Sequence, residues 1–359
     1  MTEQREWASA ARDIAETHAD AERAEIPPLI VVEGLEPHVP GEGPIAITHL
    51  GKGHSNETFL LERDGQRCVL RRPPRPPWPP SAHDVLREYA FIEGLHPFGL
   101  PVPAPIAACA DPEPIGAPFY LMQCVEGVVV RDTFPPELDE PETRGQAVIA
   151  LAEGLADLHA VRWQGSPLEQ LGRPSGYLER QLRRWSGQWE HNATREVPQI
   201  AQIGEWLAAN RPESHDTTVV HGDFKLDNVI LHSEPPARLA AIVDWEMATL
   251  GDPLADLGFT CAVYAQPGEE VEPMLHFSAA STAPGCPTRG EIVQAYGARS
   301  GRDVGDLHWY ECLAIWKIAI IVEGNFKRYL LGGTNDPFHE QVKEGVPRLA
   351  ERALALTRR

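Results

Sequence analysis

The stretch VVHGDFKLDNVILH, residues 219–232, sets a block of histidine, aspartate, lysine and asparagine between two apolar runs. Apolar run, polar interruption, apolar run reads as strand, tight loop, strand. A loop flanked by buried strands has to satisfy its own polar groups, because an unpaired polar group out of water costs several kcal/mol. Two readings meet that demand: a turn capped by its own Asp and Asn side chains, or a site that handles a charged ligand. A fold that accommodates this segment must bring a polar loop to the floor of a cleft or to a surface.

The rest of the chain divides around it. Residues 1–25 read as a helix, and IPPLIVVEGLEPHVPGEGP as a linker punctuated by proline and glycine. ETFLLER and QRCVLRR flank Asp64-Gly65, a strong hairpin signal. PPRPPWPP at 73–80 excludes helix and central strand, so it is expected as a stiff surface connection. SAHDVLREYAFIEGL follows as an amphipathic helix with Ser81 or Asp84 as its cap, and APFYLMQCVEG as a short buried strand ending at Gly127. Beyond about residue 145 the pattern turns helical. Val148, Leu151, Leu155 and Leu158 keep a 3.6-residue period, and further helices are expected over 175–210, 288–299 and 305–331. At 359 residues the chain can bury a large core. The expected division is a helix and linker at 1–40, a strand-rich lobe at 41–125 and a helical lobe at 126–359.

Charge narrows the partners. A formal net charge of −20 argues against non-specific binding to nucleic acid or to an anionic membrane surface. Cys68, Cys109, Cys124, Cys261, Cys286 and Cys312 show no CxxC and no zinc-type spacing, which fits reduced thiols. The N-terminal run has no apolar h-region, so no signal peptide is expected. No segment approaches the roughly 18 apolar residues of a spanning helix. A cytoplasmic protein is the expectation.

Asp223 and Asn228 stand five apart, and Asp244 follows a second apolar run in IVDWE. A carboxylate, an amide oxygen and a second carboxylate at strand ends form a hard-oxygen set suited to Mg²⁺ shared with phosphates. Asp223 can instead accept a proton from a hydroxyl, as phosphoryl transfer requires. The H-x-D-x-x-x-x-N spacing with a later Asp matches the catalytic loop of kinases. Asp252 and Asp256 in GDPLADLG read as caps or braces, and His221 as a loop support, since no second histidine stands at ligand spacing. Lys225 suits a contact to substrate or phosphate as well as it suits solvent.

HGDFKLDNVI followed by IVDWEMATLGDPLADLG resembles the aminoglycoside phosphotransferase/choline kinase superfamily. GKGHSN, VLRRPP, SAHDVLREY and WYECLAIWKIAIIVEGNFKRYLLG resemble the branch also found fused to acyl-CoA dehydrogenases. The resemblance runs from about residue 45 to 335. It implies a protein-kinase-like α+β fold with a small strand-rich N-lobe and a larger helical C-lobe, with ATP and Mg²⁺ in the cleft. It makes Asp223 the catalytic base, Asn228 and Asp244 the Mg²⁺ ligands, and His221 a brace. It sets Ser55 and Asn56 over the ATP phosphates, Arg71 in the place kinases usually give to lysine with Glu88 as its partner, and Gln123 to Val125 against the adenine. Two departures stand out: GKGHSN is not a full G-x-G-x-x-G, and an arginine fork is not a lysine point charge.

The implied activity is transfer of the γ-phosphoryl group of ATP to a hydroxyl of a small molecule, with hydroxylated acyl groups and aminoglycosides as the acceptor classes. A protein substrate is disfavoured by the absence of D-F-G and A-P-E. A non-catalytic nucleotide-binding regulatory module of the same fold is the alternative, which the intact Asp223, Asn228 and Asp244 disfavour. Residues 1–40 could extend a lobe, cover the cleft or mediate a dimer. Trp309, Tyr310, Trp316 and Tyr329 are at helical spacing, a pattern more often core than pocket.

Overall fold

The computed structural model describes residues 32–50, 56–74, 83–214, 216–305, 307–331 and 338–358. The helix expected over 1–25, the turn residues 51–55 and most of the proline-rich segment lie outside them. The first lobe is built on β1 (Ala46–His49), β2 (Glu57–Arg63), β3 (Gln66–Arg72), β4 (Pro105–Cys109) and β5 (Phe119–Gln123). They form one antiparallel sheet in the order β1-β2-β3-β5-β4. Arg63 lies opposite Gln66, and Asp64 and Gly65 between them both take positive φ, 51° and 72°. That is the two-residue turn whose twist matches a hairpin.

β3 is central, and its period of two decides where Arg71 points. Cys68 and Leu70 join one apolar layer, Val69 the other. Arg71 shares the face of Val69, which is covered by α1 (Val85–Leu95). Asp84 caps that helix by accepting the Arg87 N–H at 3.1 Å; Ser81 is outside the described residues. Glu88 lies one turn before Phe91 and Ile92, so the helix face that buries its apolar residues also carries this carboxylate to the sheet.

The opposite face of the sheet corrects the linker expectation. Leu35, Val39 and Ile45 are buried with Phe59, Leu61, Leu70, Phe119 and Leu121. Gly34 comes so close to Pro114 that an added Cβ would lie 2.7 Å from its carbonyl oxygen. Part of the segment read as linker, and of the range 1–40 set apart from the first lobe, is therefore a layer of that lobe. The sheet has two apolar faces, and this stretch covers the second together with Ile115 from the loop between β4 and β5. The strand expected to reach Gly127 also ends earlier, at Gln123.

After β5 the chain enters the helical lobe. Gly127, at φ 151°, passes within 2.3 Å (from its would-be Cβ) of the Leu231 carbonyl oxygen, and Val128 and Leu231 exchange backbone hydrogen bonds at 2.8 Å. The helices are α2 (Pro141–His159), α3 (Tyr177–Asn192), α4 (Pro198–Ala209), α5 (Pro253–Val263), α6 (Arg289–Ser300), α7 (Leu307–Leu330) and α8 (Phe338–Leu356). Two short pairs interrupt them: β6 (Thr218–Val220) with β9 (Thr249–Gly251), and β7 (Val229–Leu231) with β8 (Leu239–Ile242). α7 is buried nearly all round from Trp309 to Ile320, the signature of a helix at the centre of a core. Trp309 and Trp316 donate their indole N–H groups to the carbonyls of Leu207 and Ile200 at 3.1 and 3.0 Å, so these aromatics are core. No helix among the described residues is long and apolar enough to cross a membrane.

Candidate active site

The polar loop of residues 221–228 leaves β6 and enters β7, and Asp244 follows β8, so two short ladders deliver every polar group of the motif to one place. Gly222 sits at φ 86°, and a Cβ there would meet the Met247 carbonyl oxygen at 2.7 Å. Positive φ and close approach both demand glycine. Asp256 on α5 accepts the N–H groups of His221 and Gly222 at 2.5 and 2.7 Å. The buried His159 ring lies between Asp256 Oδ2 (3.3 Å) and the Tyr296 hydroxyl (2.8 Å). Burial pushes the Asp256 carboxyl up, but the bonds it accepts outweigh that and hold it below the usual range, while burial lowers His159. A neutral His159 then donates from Nε2 to Asp256 and accepts from Tyr296 at Nδ1.

His221 is likewise fixed in one tautomer. Its Nε2 donates to the Val243 carbonyl at 2.9 Å, and its Nδ1 accepts the Asp223 N–H at 3.3 Å. The ring packs against Trp245 with centroids 4.8 Å apart. His221 therefore braces the turn and is spent as a donor. Asp223 Oδ2 receives the Lys225 ammonium at 2.6 Å and the Asn228 amide at 2.7 Å; the same Asn228 nitrogen reaches the Asp223 carbonyl at 2.8 Å. Asp223 Oδ1 has no hydrogen bond to a described residue. Lys225 also lies over the Phe277 ring, 4.7 Å from its centroid.

Arg71 closes the site from the strand lobe. Its Nε stands 3.4 Å from Glu88 Oε1 and its Nη2 donates to Asp244 Oδ1 at 3.0 Å. Asp244 takes a left-handed backbone, φ 68° and ψ 63°, which aspartate tolerates better than most side chains. Burial would lower the Arg71 guanidinium, but Glu88, Tyr120 and Asp244 together hold it above its ordinary value. Burial pushes Glu88 up to about 7 against the pull of Arg71. Both Glu88 oxygens accept further bonds at 3.3 Å, from the Trp245 N–H and from the Asn56 amide.

Asn56 is thus buried against Glu88, with its Oδ1 3.0 Å from His83 Nδ1. Its side chain braces the helix carboxylate where the family resemblance implied a phosphate contact. Ser55 lies outside the described residues. Gln123 commits its backbone N–H to the Ala104 carbonyl (2.9 Å) and its Oε1 to the Ala104 N–H (3.2 Å). Val125 engages no described backbone group, so of the two it keeps its main chain open.

The oxygen donors fit a magnesium ion shared with a nucleotide. Asn228 turns its nitrogen toward Asp223, which leaves Oδ1 open, and Asp244 has Arg71 on one oxygen and keeps the other. Among the described residues no three His, Cys, Asp or Glu side chains are placed to hold a metal by themselves. A two-ligand set is what Mg²⁺ needs when phosphates and water complete its shell.

Sequence reasoning missed His159, Tyr296 and Trp245, because a histidine or aromatic in an apolar run carries no spacing that separates a brace from core. It did place Asp252 as the α5 cap, which accepts the Leu254 N–H at 2.9 Å.

Residues 46–302 match the model of the phosphotransferase enzyme family. The chain belongs to that family. Its curated relatives include acyl-CoA dehydrogenase family member 11 from Homo sapiens, 34% identical over 89% of this chain and 41% of the relative. Probable acyl-CoA dehydrogenase IBR3 from Arabidopsis thaliana is 31% identical over 80% of this chain and 37% of the relative. This phosphotransferase thus spans about two-fifths of such relatives. Among solved structures, a putative aminoglycoside phosphotransferase from Ralstonia eutropha is 30% identical, with a TM-score of 0.76 over 90% of this chain and 96% of that one. A thermostable aminoglycoside phosphotransferase crystallised with ADP and hygromycin B shares the fold at a TM-score of 0.59 and 16% identity, over 90% of this chain and 96% of that one.

Proposed function

We propose that this phosphotransferase uses ATP and Mg²⁺ to phosphorylate a hydroxyl group of a small hydroxyacyl compound. The observation that carries the reading is the state of Asp223. One carboxylate oxygen is pinned by Lys225 and Asn228, and the other is open at the mouth of the loop. A carboxylate so oriented accepts the proton of an incoming hydroxyl as that oxygen attacks phosphorus. Asn228 and Asp244 would hold Mg²⁺, which supplies charge neutralisation at the transferring phosphates. Arg71, held by Glu88, and Lys225, held by Asp223, present two cations to the same phosphates, and their preorganisation is the main source of rate. Val125 offers main-chain groups for the adenine.

The acceptor class is taken from the relatives, which are named as acyl-CoA dehydrogenases and so point to an acyl compound that carries the hydroxyl.

The test is ATP consumption with Mg²⁺ across hydroxyacyl-CoA esters, hydroxy acids, aminoglycosides, choline and sugars, with Asp223→Asn alongside. The expected result is turnover of the hydroxyacyl class, reduced about a hundredfold to ten-thousandfold in the variant. Equal turnover in both proteins would remove Asp223 from the base's role. ATP binding without turnover of any acceptor would favour the non-catalytic module.

A further inference from the structure

Asp227 belongs to the polar loop, yet the contacts around it do not account for its place there. Its Oδ1 is buried and meets no hydrogen-bond donor among the described residues. Lys225 and Asn228, on either side of it in sequence, donate to Asp223 at 2.6 and 2.7 Å instead. A buried carboxylate oxygen left without a donor costs stability, so its presence calls for a reason.

A recess of about 20 Å³ opens beside the loop, lined by Lys225, Leu226 and Asp227, by Val263 at the end of α5, and by Phe277 and Ser278. It has room for one group the size of a water molecule. Four hydroxyl groups stand around it, and each donates elsewhere. Thr260 donates to the Phe224 carbonyl at 2.7 Å, Tyr264 to that of Pro287 at 2.7 Å, Ser281 to that of Ser278 at 2.9 Å, and Ser278 to that of Arg131. These hydroxyls leave Asp227 unserved. Lys225 is held by Asp223 and lies over the Phe277 ring, 4.7 Å from its centroid. One lysine thus ties the recess to the proposed base. Phe277 is its exposed wall, with 40% of the residue open to solvent.

We propose that this recess is an acceptor subsite that selects for a second hydrogen-bond donor. The acceptor sets one O–H or N–H group into the recess, where the Asp227 carboxylate accepts it, and lays its carbon chain against Phe277. Its reacting hydroxyl stays outside the recess, at Asp223. The acceptor class is then a hydroxyacyl compound that also carries an amide or a further hydroxyl. This rests on the hydroxyacyl reading above.

The test uses hydroxyhexanoic acid derivatives with the hydroxyl stepped along the chain. The primary amides carry an N–H donor; the methyl esters and N,N-dimethylamides carry none. Wild type is expected to show an acceptor KM about tenfold to a hundredfold lower for the amides, the contribution of a hydrogen bond to a charged group. Asp227→Leu is expected to remove that preference while the KM for ATP stays put. Asp227→Asn, which keeps an oxygen at the recess, should retain part of it. Phe277→Ala is expected to raise the KM of amides and esters alike, about twofold to tenfold. One KM for amides and esters in wild type would overturn the inference and leave the hydroxyacyl reading standing, with water alone in the recess. So would an amide preference that survives in Asp227→Leu. A lowered melting temperature in Asp227→Leu, with ATP and acceptor kinetics damaged alike and no recovery in Asp227→Asn, would make Asp227 a structural residue and overturn it as well. Failure of wild type on every acyl probe, hydroxyhexanoyl-CoA included, would remove the hydroxyacyl reading, and this inference with it.

Discussion

Asp227, next to Asn228 in the polar loop, has a buried Oδ1 with no hydrogen-bond donor among the described residues. Burial pushes its carboxyl up to about 6; Lys225 pulls it down and Asp223 adds to the rise. A carboxyl raised in the folded state keeps a proton that the unfolded chain has released. Its contribution is therefore full below the unfolded value and is lost as pH rises through about 6. Asp227→Asn fixes the neutral form. Its melting temperature should exceed that of wild type at pH 8, and the gap should close as the pH is brought down toward 4. Calorimetry that found a pH-independent gap would mean that the charge of Asp227 is not what the variant relieves. Gly222 supports a second expectation. Gly222→Ala must hold an alanine at φ 86° against the Met247 backbone, which costs about 1–3 kcal/mol for the backbone alone. Chemical denaturation should show at least that loss.

Elements with a strong local signature were legible before any coordinates. The Asp64-Gly65 hairpin, the Asp84-capped α1 and the apolar period of α2 each follow from a short-range rule, and each is where the spacing places it. The polar loop of residues 221–228 was legible for a different reason: Asp223, Asn228 and Asp244 have a spacing that packing alone does not explain, and the fold brings them together. The stretch around Leu35 was not. Its prolines and glycines mask three apolar residues whose partner, the outer face of the sheet, is distant in sequence. His159 was missed likewise, since its meaning depends on what α5 and α6 bring to it. Leu35→Ala turns the corrected reading into a measurement. A buried leucine in a core layer loses about 2–5 kcal/mol on truncation, whereas a leucine in a linker loses almost nothing. Urea unfolding that shows less than about 0.5 kcal/mol, the usual scatter of surface substitutions, would return residues 32–40 to the linker.

Among the described residues several polar contacts join the two lobes, and Arg71 makes one that reaches the polar loop's neighbour Asp244. It reaches from β3 to Glu88 on α1 and to Asp244 in the helical lobe, so one guanidinium ties the strand lobe to a proposed metal ligand. Replacing it with methionine keeps much of the volume but leaves Glu88 buried without its counter-charge, a loss of about 3–5 kcal/mol when one partner of a buried pair is removed. The size of that loss depends on whether Glu88 is ionised. Because burial already holds Glu88 near 7 and Arg71 is what pulls it down, its removal lets Glu88 take up a proton at higher pH. The penalty should therefore be large at pH 8 and shrink as the solution is acidified through 7. Ligand linkage gives a second reading of the same residue. If ATP and Mg²⁺ bind as proposed, a hundredfold excess over the Kd should stabilise the folded chain by about 2.7 kcal/mol, and Arg71→Met should lose most of that gain while Asp223→Asn keeps it. Thermal shifts at two pH values, with and without nucleotide, separate the two effects. If Arg71→Met kept the full nucleotide shift, Arg71 would be a strut between the lobes with no part in holding phosphate.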